Sequence, residues 1–369
     1  MLVENAQVLM GDGVFRRGAV TFGDTIERID VCETAGAETG PYLIPGLVDV
    51  HTHGARGHAH SDASAGALRE MAAFYAKNGV TSFLATTLTA PEDELASAMR
   101  VVAQYERPPG CARCVGVNME GPFLSYGKRG AHPPHLLMLP DVPMFERLFG
   151  VSGGSIKLVS IAPELDGAME FIREASKLCH VSVAHSEADY STAMRAFGSG
   201  ATHVTHLFNG MSPFLHRDPG IVGAALDAGA FVEVICDGHH LHPAIIRTIY
   251  RMFPLRACMI SDSLRCAGLP DGKYESAGMP VVLKDGKATL EDGSSIAGSA
   301  ITLMQGVRIA VSLGIPLADA VTAASKHSAQ AIGMEGKIGS IAPGACADLA
   351  LLDSGLRVQK VFIGGKEVA

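Results

Sequence analysis

Short β-branched or apolar runs recur eight times along the chain, and most are followed by a stretch with helical spacing. The runs are Leu43–Val50, Val80–Thr87, Cys114–Met119, Ile156–Ile161, Val181–Ala184, Thr202–Thr205, Phe231–Cys236 and Cys258–Ser261. Nearly continuous hydrophobic strands that alternate with helices are typical of a parallel sheet buried on both faces. Eight such strands close into a barrel. The sequence therefore predicts an α/β protein with a (β/α)8 TIM barrel.

The segments between these runs place apolar residues on one face of a helix. The predicted helices are Ala63–Lys77, Glu92–Glu106, Gly167–Lys177, Ala188–Phe197 and Pro243–Met252, with two more over about Ser299–Leu313 and Leu317–Ile332. The chain has 369 residues, whereas a barrel takes about 250 as one domain. A second, smaller module is therefore expected.

Both ends of the chain are strand-like and rich in turns. Gly11-Asp12-Gly13 and Pro343-Gly344 are turn signals, and Val358–Ile363 alternates between apolar and polar residues. We expect residues 1–42 and 336–369 to form one small β-sandwich domain. Residues 43–335 are expected to form the catalytic barrel.

Composition and charge exclude several classes of protein. The formal net charge is -8 and the basic residues are scattered, so no surface for nucleic acid or anionic lipid is indicated. No basic leader and no long apolar span are present, which favours a soluble cytoplasmic protein. The cysteines stand singly except for Cys111 and Cys114, and we expect reduced structural thiols.

Ionisable side chains stand at the ends of the predicted strands, where barrel enzymes carry their reactive groups. They are His51, His53, Glu120, His185, His206 and Asp262. A lone histidine is more often a structural residue than a ligand. Burying four imidazoles and two carboxylates together without an ion is costly, however. The constellation predicts a divalent metal site, and its mixed donors favour zinc, iron, manganese or cobalt over calcium or magnesium.

Other polar residues on the same face have weaker signals. Arg217, in the loop after strand six, is interpreted as an anion clamp or as a surface ion pair. His239 and His240 follow strand seven, and at least one is expected to touch substrate. His203 lies three residues before His206, and strand alternation turns it to the other side, so a structural role is predicted.

Asp262 is the best candidate for the group that moves protons. A carboxylate beside a metal can take the proton of a water and later give it to a leaving nitrogen. Hydrolysis of an amide or another C–N bond is the natural reaction. No phosphate-binding glycine loop and no serine or cysteine nucleophile motif competes with this interpretation.

The motifs around these residues resemble the amidohydrolase superfamily and, within it, the N-acetylglucosamine-6-phosphate deacetylase family. They are Pro45–Gly54, Met119–Phe123, Arg129–His132, Ala184–Ser186, Thr205–Met211, Asp237–His240, Ser261-Asp262, Ala297–Ser299, Gly339–Gly344 and Ala347–Leu349. The His-x-His pair and the tail mark only the superfamily. The segments Glu120–Phe123 and His206–Met211 are more specific to the deacetylases.

The resemblance implies a role for each matching residue. Glu120, His185 and His206 would hold the main metal, His51 and His53 a second one, and Asp262 would be the general base and acid. His132 would contact the sugar or the polarised carbonyl. The backbone amides of Asn209 and Gly210 would face the phosphate, clamped by Arg217 and His240 across the interface of a homodimer. The implied substrate is a small amino-sugar phosphate.

Three alternatives remain open at this stage. The substrate could be the galactosamine epimer, because the loops His58–Asp62 and Ser263–Cys266 depart from the family pattern. A second alternative is another amide hydrolase or a deaminase of the superfamily. The third is a metal-binding scaffold without activity, against which the presence of Asp262 argues.

Overall fold

The computed structural model describes residues 1–32 and 40–369. Eight parallel strands form a barrel in the order in which they occur along the chain. They are Leu47–Thr52, Val80–Thr87, Arg113–Met119, Ile156–Ile161, His180–Val183, His203–Val204, Phe231–Ile235 and Ala257–Ile260. The backbone amide of Asp262 donates to the carbonyl of His51 at 2.9 Å and joins the last strand to the first. The predicted barrel is confirmed.

Helices surround the barrel and follow it. They are Ala65–Lys77, Glu92–Ala103, Val142–Val151, Ala168–Ala175, Tyr190–Ser199, Gly220–Ala228, Pro243–Met252, Leu303–Ser312, Leu317–Ala323 and Lys326–Ala331. Short 3-10 turns are His60–Asp62, Tyr126–Lys128 and Pro134–Leu136. None of these helices is long and apolar enough to cross a membrane.

Strands from both chain ends form one seven-stranded sheet beside the barrel. They are Leu2–Leu9, Phe15–Phe22, Ile26–Val31, Tyr42–Pro45, Leu349–Leu352, Val358–Ile363 and Lys366–Glu367. The prediction of a small β domain from both termini is thus confirmed. The division at residues 42/43 and 335/336 stays a prediction, and the structure places Tyr42–Pro45 in the terminal sheet.

The predicted strand Leu43–Val50 is wrong in extent, because the chain leaves the terminal sheet at Pro45 and enters the barrel at Leu47. Gly46 connects the two strands and packs against the side chain of Thr81. A Cβ atom at position 46 would lie 2.2 Å from the Thr81 hydroxyl, so only glycine fits.

Two helices were not predicted, and two others were predicted as a single helix. Gly220–Ala228 is apolar and buried on most sides, so it has no amphipathic pattern to detect. Val142–Val151 was also missed, although Asp141 caps its first turn through the backbone amide of Met144. The predicted helix Leu317–Ile332 ends at Ala323, and a new helix starts after Ser325, whose backbone is not helical and whose hydroxyl donates to the Val321 carbonyl.

A three-stranded antiparallel sheet follows the eighth barrel strand and was not predicted. Its strands are Gly272–Ser276, Met279–Lys284 and Lys287–Leu290. A further two-stranded pair, Gly54–Ala55 with His58–Ala59, directly follows the first barrel strand. Both additions lie at the end of the barrel where the strands terminate.

One buried ion pair connects the terminal sheet with the barrel. The carboxylate of Asp348, which is 2% exposed, accepts hydrogen bonds from Arg113 Nε and Nη2, each at 3.2 Å, and from the Gly364 amide at 2.7 Å. Arg113 opens the third barrel strand. Asp348 immediately precedes a strand of the terminal sheet, so the pair joins the two parts of the chain.

Replacing Asp348 by alanine is expected to lower the free energy of unfolding by about 2 kcal/mol, because it leaves a buried amide and a half-buried guanidinium without an acceptor. Chemical denaturation measures the change. The control is Asp30→Ala, which removes an exposed partner of Arg28 and should change stability little. Equal effects of the two variants would contradict a coupling role for Asp348.

Candidate active site and metal centre

The six strand-end residues predicted from the sequence meet at one end of the barrel, and all are buried. His51 and His53 come from the end of the first strand, and the other four residues come from the ends of four further strands. Glu120 follows the third strand directly. His185, His206 and Asp262 each stand two residues beyond the fifth, sixth and eighth strands.

Three of these residues have a left-handed backbone. The φ angles are 43° at His185, 26° at His206 and 49° at Asp262. Such conformations cost about 1–3 kcal/mol each in residues other than glycine and cluster at functional sites. The chain turns at the same point after three different strands, and each turn places an ionisable side chain beside the others.

Glu120, His185 and His206 form the first group. Oε1 of Glu120 lies 3.2 Å from Nε2 of His185 and 3.2 Å from Nε2 of His206, and the two Nε2 atoms are 3.1 Å apart. Nitrogen ligands at about 2.0–2.1 Å from a tetrahedral zinc ion lie about 3.3 Å from each other. The three donor atoms are therefore spaced as ligands of one small cation.

Glu120 also belongs to a second group, with His51 and His53. Its other oxygen, Oε2, lies 3.2 Å from Nε2 of His53 and 3.5 Å from Nε2 of His51. The two imidazole nitrogens are 3.2 Å apart. Oδ1 of Asp262 lies 3.4 Å from Nε2 of His51 and 3.3 Å from Nε2 of His53. Glu120 thus offers one oxygen to each group and links them.

Hydrogen bonds on the far side of three rings set their protonation. Nδ1 of His51 lies 2.8 Å from Glu233 Oε2, Nδ1 of His185 lies 2.7 Å from the Lys128 carbonyl, and Nδ1 of His206 lies 3.2 Å from the Asn209 carbonyl. These oxygens only accept, so each Nδ1 donates. In the neutral ring the lone pair then resides on Nε2, which is the form that binds a metal.

Sequence reasoning missed Glu233, which lies inside the seventh strand and is fully buried. Besides His51, it accepts from Nε2 of His203 at 3.2 Å and from the amide of His206 at 3.1 Å. A sequence signal for it did exist. An acidic residue within the apolar run Phe231–Ile235 is expected to be buried and therefore to need hydrogen-bonding partners. His203 therefore has a structural role, because its ring hydrogen-bonds the Glu233 carboxylate.

The surrounding charges favour a cation at the centre. Burial alone would lower the pKa of His51, but Glu233, Glu120 and Asp262 together raise it well above its ordinary value. Burial alone would raise the pKa of Glu120, yet His51 and three further imidazoles lower it well below the usual range. Both shifts have the same cause, since several buried carboxylates and imidazoles lie within a few ångströms of one another.

A cavity of about 390 Å³ opens above these groups and is lined by four of the predicted substrate residues. They are His132, Asn209, Gly210 and His240. Gly210 has a φ of 57°, and a Cβ atom there would lie 2.9 Å from Nδ1 of His185, so glycine lets the loop lie against the ligand ring. The cavity is within the size range of small-molecule sites.

The environments of His132 and His240 differ. Burial lowers the pKa of His132 to about 4, and its Nδ1 lies 2.8 Å from the hydroxyl of Thr89. Burial also acts to lower the pKa of His240, but its bond to Asp237 at 2.7 Å raises the pKa overall. His132 is therefore neutral at pH 7, whereas Asp237 favours the charged form of His240.

The structure does not bring Arg217 into this cavity. Arg217 is exposed in the loop after the sixth strand, and its Nη1 lies 2.8 Å from Nε2 of the neighbouring His216. His239 is exposed as well.

The loops His58–Asp62 and Ser263–Cys266 lie side by side and are joined by hydrogen bonds around the first and eighth strand ends. Arg265 Nη2 donates to Asp62 Oδ1 at 2.9 Å, and the amides of His53 and Gly54 donate to the Ser263 carbonyl at 2.8 and 3.0 Å. Within the first of these loops, burial and, to a smaller extent, the His53 ring lower the pKa of His60 to about 3, so His60 is neutral. The unpredicted sheet after strand eight also reaches the cavity, through Ser276 at the end of its first strand.

Comparisons with known proteins agree on the family. The model of the Amidohydrolase family matches residues 42–368. N-acetylglucosamine-6-phosphate deacetylase of Vibrio furnissii is 36% identical over 88% of this chain and 82% of its own length. N-acetylgalactosamine-6-phosphate deacetylase of Escherichia coli O157:H7 is 35% identical over 99% of this chain and 95% of its own length. The solved N-acetyl-D-glucosamine-6-phosphate deacetylase of Mycobacterium smegmatis, in complex with N-acetyl-D-glucosamine-6-phosphate, has a TM-score of 0.93 at 32% identity and covers 100% of this chain and 99% of that one.

Glu233→Gln is expected to weaken metal binding by about 10- to 100-fold, because a neutral amide polarises the His51 ring less than a carboxylate does. Metal titration followed by elemental analysis of the protein measures the effect. Glu120→Gln, which alters both groups, should lose more metal. Glu92→Gln, at an exposed pair with Arg147, is the matched control. Unchanged affinity in Glu233→Gln would show that the carboxylate only stabilises the fold.

Proposed function

The chain belongs to the amidohydrolase family, and from that premise we propose that it hydrolyses N-acetylglucosamine-6-phosphate to glucosamine-6-phosphate and acetate. Relatives of that name match at 33–37% identity over most of the chain. The observation that carries the proposal is Asp262, a buried carboxylate beside two groups of metal ligands at the base of a cavity.

The proposed cofactor is one or two divalent cations, with zinc first and iron, manganese or cobalt accepted by the same donors. Glu120, His185 and His206 would hold the main ion, and Glu120, His51 and His53 a second. The donor spacing and the Nδ1 partners of three rings support both assignments. Such an ion lowers the pKa of water and polarises an amide carbonyl.

Asp262 is the proposed general base and acid. Burial alone would raise its pKa, but His51 and His53 lower it overall, so the group is a carboxylate at neutral pH. The carboxylate takes a proton from the attacking water as the new C–O bond forms at the carbonyl carbon. It then gives that proton to the nitrogen as the C–N bond breaks, which releases acetate and the free amine.

The cavity supplies contacts for the rest of the substrate. His132 is buried, neutral and 3.5 Å from Glu120 Oε2, so it can donate to the acetyl carbonyl or to a sugar hydroxyl. Asn209, Gly210 and His240 also line the cavity. The Asn209 amide donates to the His206 carbonyl at 2.9 Å, so Gly210 remains as the proposed backbone donor to the phosphate, and Asp237 favours the charged form of His240.

A homodimer would complete the phosphate site with Arg217 of the neighbouring subunit. Arg217 is exposed and lies next to Phe214 and Leu215, which are 45% and 53% exposed. Apolar side chains exposed beside a cation are typical of an interface rather than of a free loop.

That the enzyme works in the cytoplasm stays a prediction.

The galactosamine epimer is the second candidate substrate, because the E. coli relative of that name covers nearly the whole chain. Its identity to this chain, 35%, does not exceed that of the glucosamine deacetylases, for example 36% for the Vibrio enzyme. The epimers share the acetyl group and the phosphate, so the same catalytic groups would serve both.

Acetate release by the zinc-loaded protein tests the function directly. We expect release from N-acetylglucosamine-6-phosphate to be faster than from the galactosamine epimer and far faster than from the unphosphorylated sugar. Asp262→Asn should retain metal and lose about 100- to 10,000-fold in turnover, the usual contribution of a general acid–base group. Asp227→Asn, at an exposed contact with Tyr190, is the control. No release by the metal-loaded wild-type protein, or near-normal turnover by Asp262→Asn, would refute the proposal or its mechanism.

Arg217→Ala is expected to raise KM for the phosphorylated sugar at least about 10-fold while changing kcat little, since it removes a charged contact to the phosphate. The KM for the unphosphorylated sugar should not change. Arg195→Ala, on the exposed part of the helix Tyr190–Ser199, controls for loss of surface charge. An equal rise in KM for both sugars would contradict a role in phosphate binding.

A further inference from the structure

One of the four imidazoles in the two ligand groups lacks an outer partner. Nδ1 of His51, His185 and His206 each contacts an acceptor, whereas Nδ1 of His53 is buried without a hydrogen-bond partner among the described residues. A neutral His53 that presents a lone pair at Nε2 carries its proton on Nδ1. A buried N–H without an acceptor is destabilising, so a partner is expected for it.

A second histidine with unmet hydrogen-bonding capacity lies nearby. His60 is 6% exposed, and within the described part of the chain neither of its ring nitrogens has a hydrogen-bond partner. A neutral imidazole offers one donor and one acceptor. His60 therefore has an unused acceptor in the interior, whereas His53 has an unused donor.

The backbone places these two residues opposite each other. In the two-stranded pair after the first barrel strand, Gly54 faces Ala59 and Ala55 faces His58. The next position of this register pairs His53 with His60, and the His60 amide donates to the His53 carbonyl at 2.9 Å. Opposite residues of an antiparallel pair have Cβ atoms about 4.5–5.5 Å apart.

The position of His60 is fixed from two sides. Its ring stacks on Phe83, with centroids 5.6 Å apart and an interplanar angle of 20°. The short turn that begins at His60 ends at Asp62, which accepts from the Ala59 amide at 2.8 Å and from Arg265 at 2.9 Å. A ring held in this way can orient a neighbour.

We propose that His60 is a positioning residue that accepts the Nδ1 proton of His53 through one ordered water and so fixes the metal-binding form of His53. A water that bridges two buried polar groups is nearly as favourable as a direct hydrogen bond. His60 would then do for His53 what Glu233 does for His51. The inference rests on the metal-dependent function proposed above, but it concerns only the ion at His51 and His53.

The test is metal stoichiometry rather than turnover. Cobalt is titrated into the metal-free full chain, and the ions bound per chain are counted by elemental analysis and by visible absorption. His60→Phe keeps an aromatic ring against Phe83 but has no acceptor. We expect the second cobalt to bind about 10- to 100-fold more weakly, as for other partners of ligand histidines, and the first to bind as in the wild type.

Two further variants separate positioning from a merely structural effect. His60→Gln restores a hydrogen-bonding group and is expected to recover most of the affinity for the second ion. His58→Phe changes the same hairpin at a residue whose side chain is 34% exposed and paired with Glu70, and it should bind two ions normally.

Several outcomes would overturn the proposal. They are wild-type affinity for both ions in His60→Phe, equal weakening of both ions, and a wild-type chain that binds only one. If His60→Phe does not fold, a high-resolution crystal structure of the zinc-loaded wild-type protein provides the test. The absence of a water between His53 Nδ1 and His60 in that structure would refute the proposal. A chain that binds two ions in this way but releases no acetate would leave this inference standing while the proposed function fails.

Discussion

The carboxylate of Glu120 is the contact on which the arrangement of the site depends. Its two oxygens lie within 3.2–3.5 Å of imidazole nitrogens that come from the first, fifth and sixth barrel strands. These side chains are almost entirely buried, so their polar groups need one another and a cation. The barrel is the scaffold that brings strands so distant in sequence to one point, with the eighth strand joined to the first at Asp262 and His51.

The backbone and the groups behind the proposed metal ligands hold those ligands in place. The left-handed backbone at His185, His206 and Asp262 stores strain that the packed barrel must offset. In return, the side chains are held before any ion arrives, which lowers the entropy cost of binding one. Glu233 contributes to the same positioning, because its carboxylate contacts both the ring of His51 and the backbone amide of His206.

Much of this could be predicted from the sequence, and the remainder has a physical explanation. The barrel strands are apolar runs, and the proposed metal ligands stand where those runs end, so both have local signals. Glu233 and His51 are 182 residues apart, and no local pattern announces their contact. The same holds for His60, which has no motif and is recognisable only from its burial and its register opposite His53. The helix Gly220–Ala228 escaped detection for the opposite reason, because it is buried on too many sides to be amphipathic.

The choice of substrate has to be made by the walls of the cavity. Glucosamine and galactosamine differ at a single hydroxyl group, and that hydroxyl is remote from the N-acetyl group that the proposed reaction hydrolyses. A site discriminates strongly between such isomers only where a buried polar group needs the hydroxyl as its partner. Leu264 and Ile296 line the cavity and can select shape alone, whereas Ser276 and Ser295 also line it and can form hydrogen bonds. The segment that follows the eighth strand therefore brings side chains of both kinds to the cavity, and they are separate from the groups proposed to carry out the chemistry.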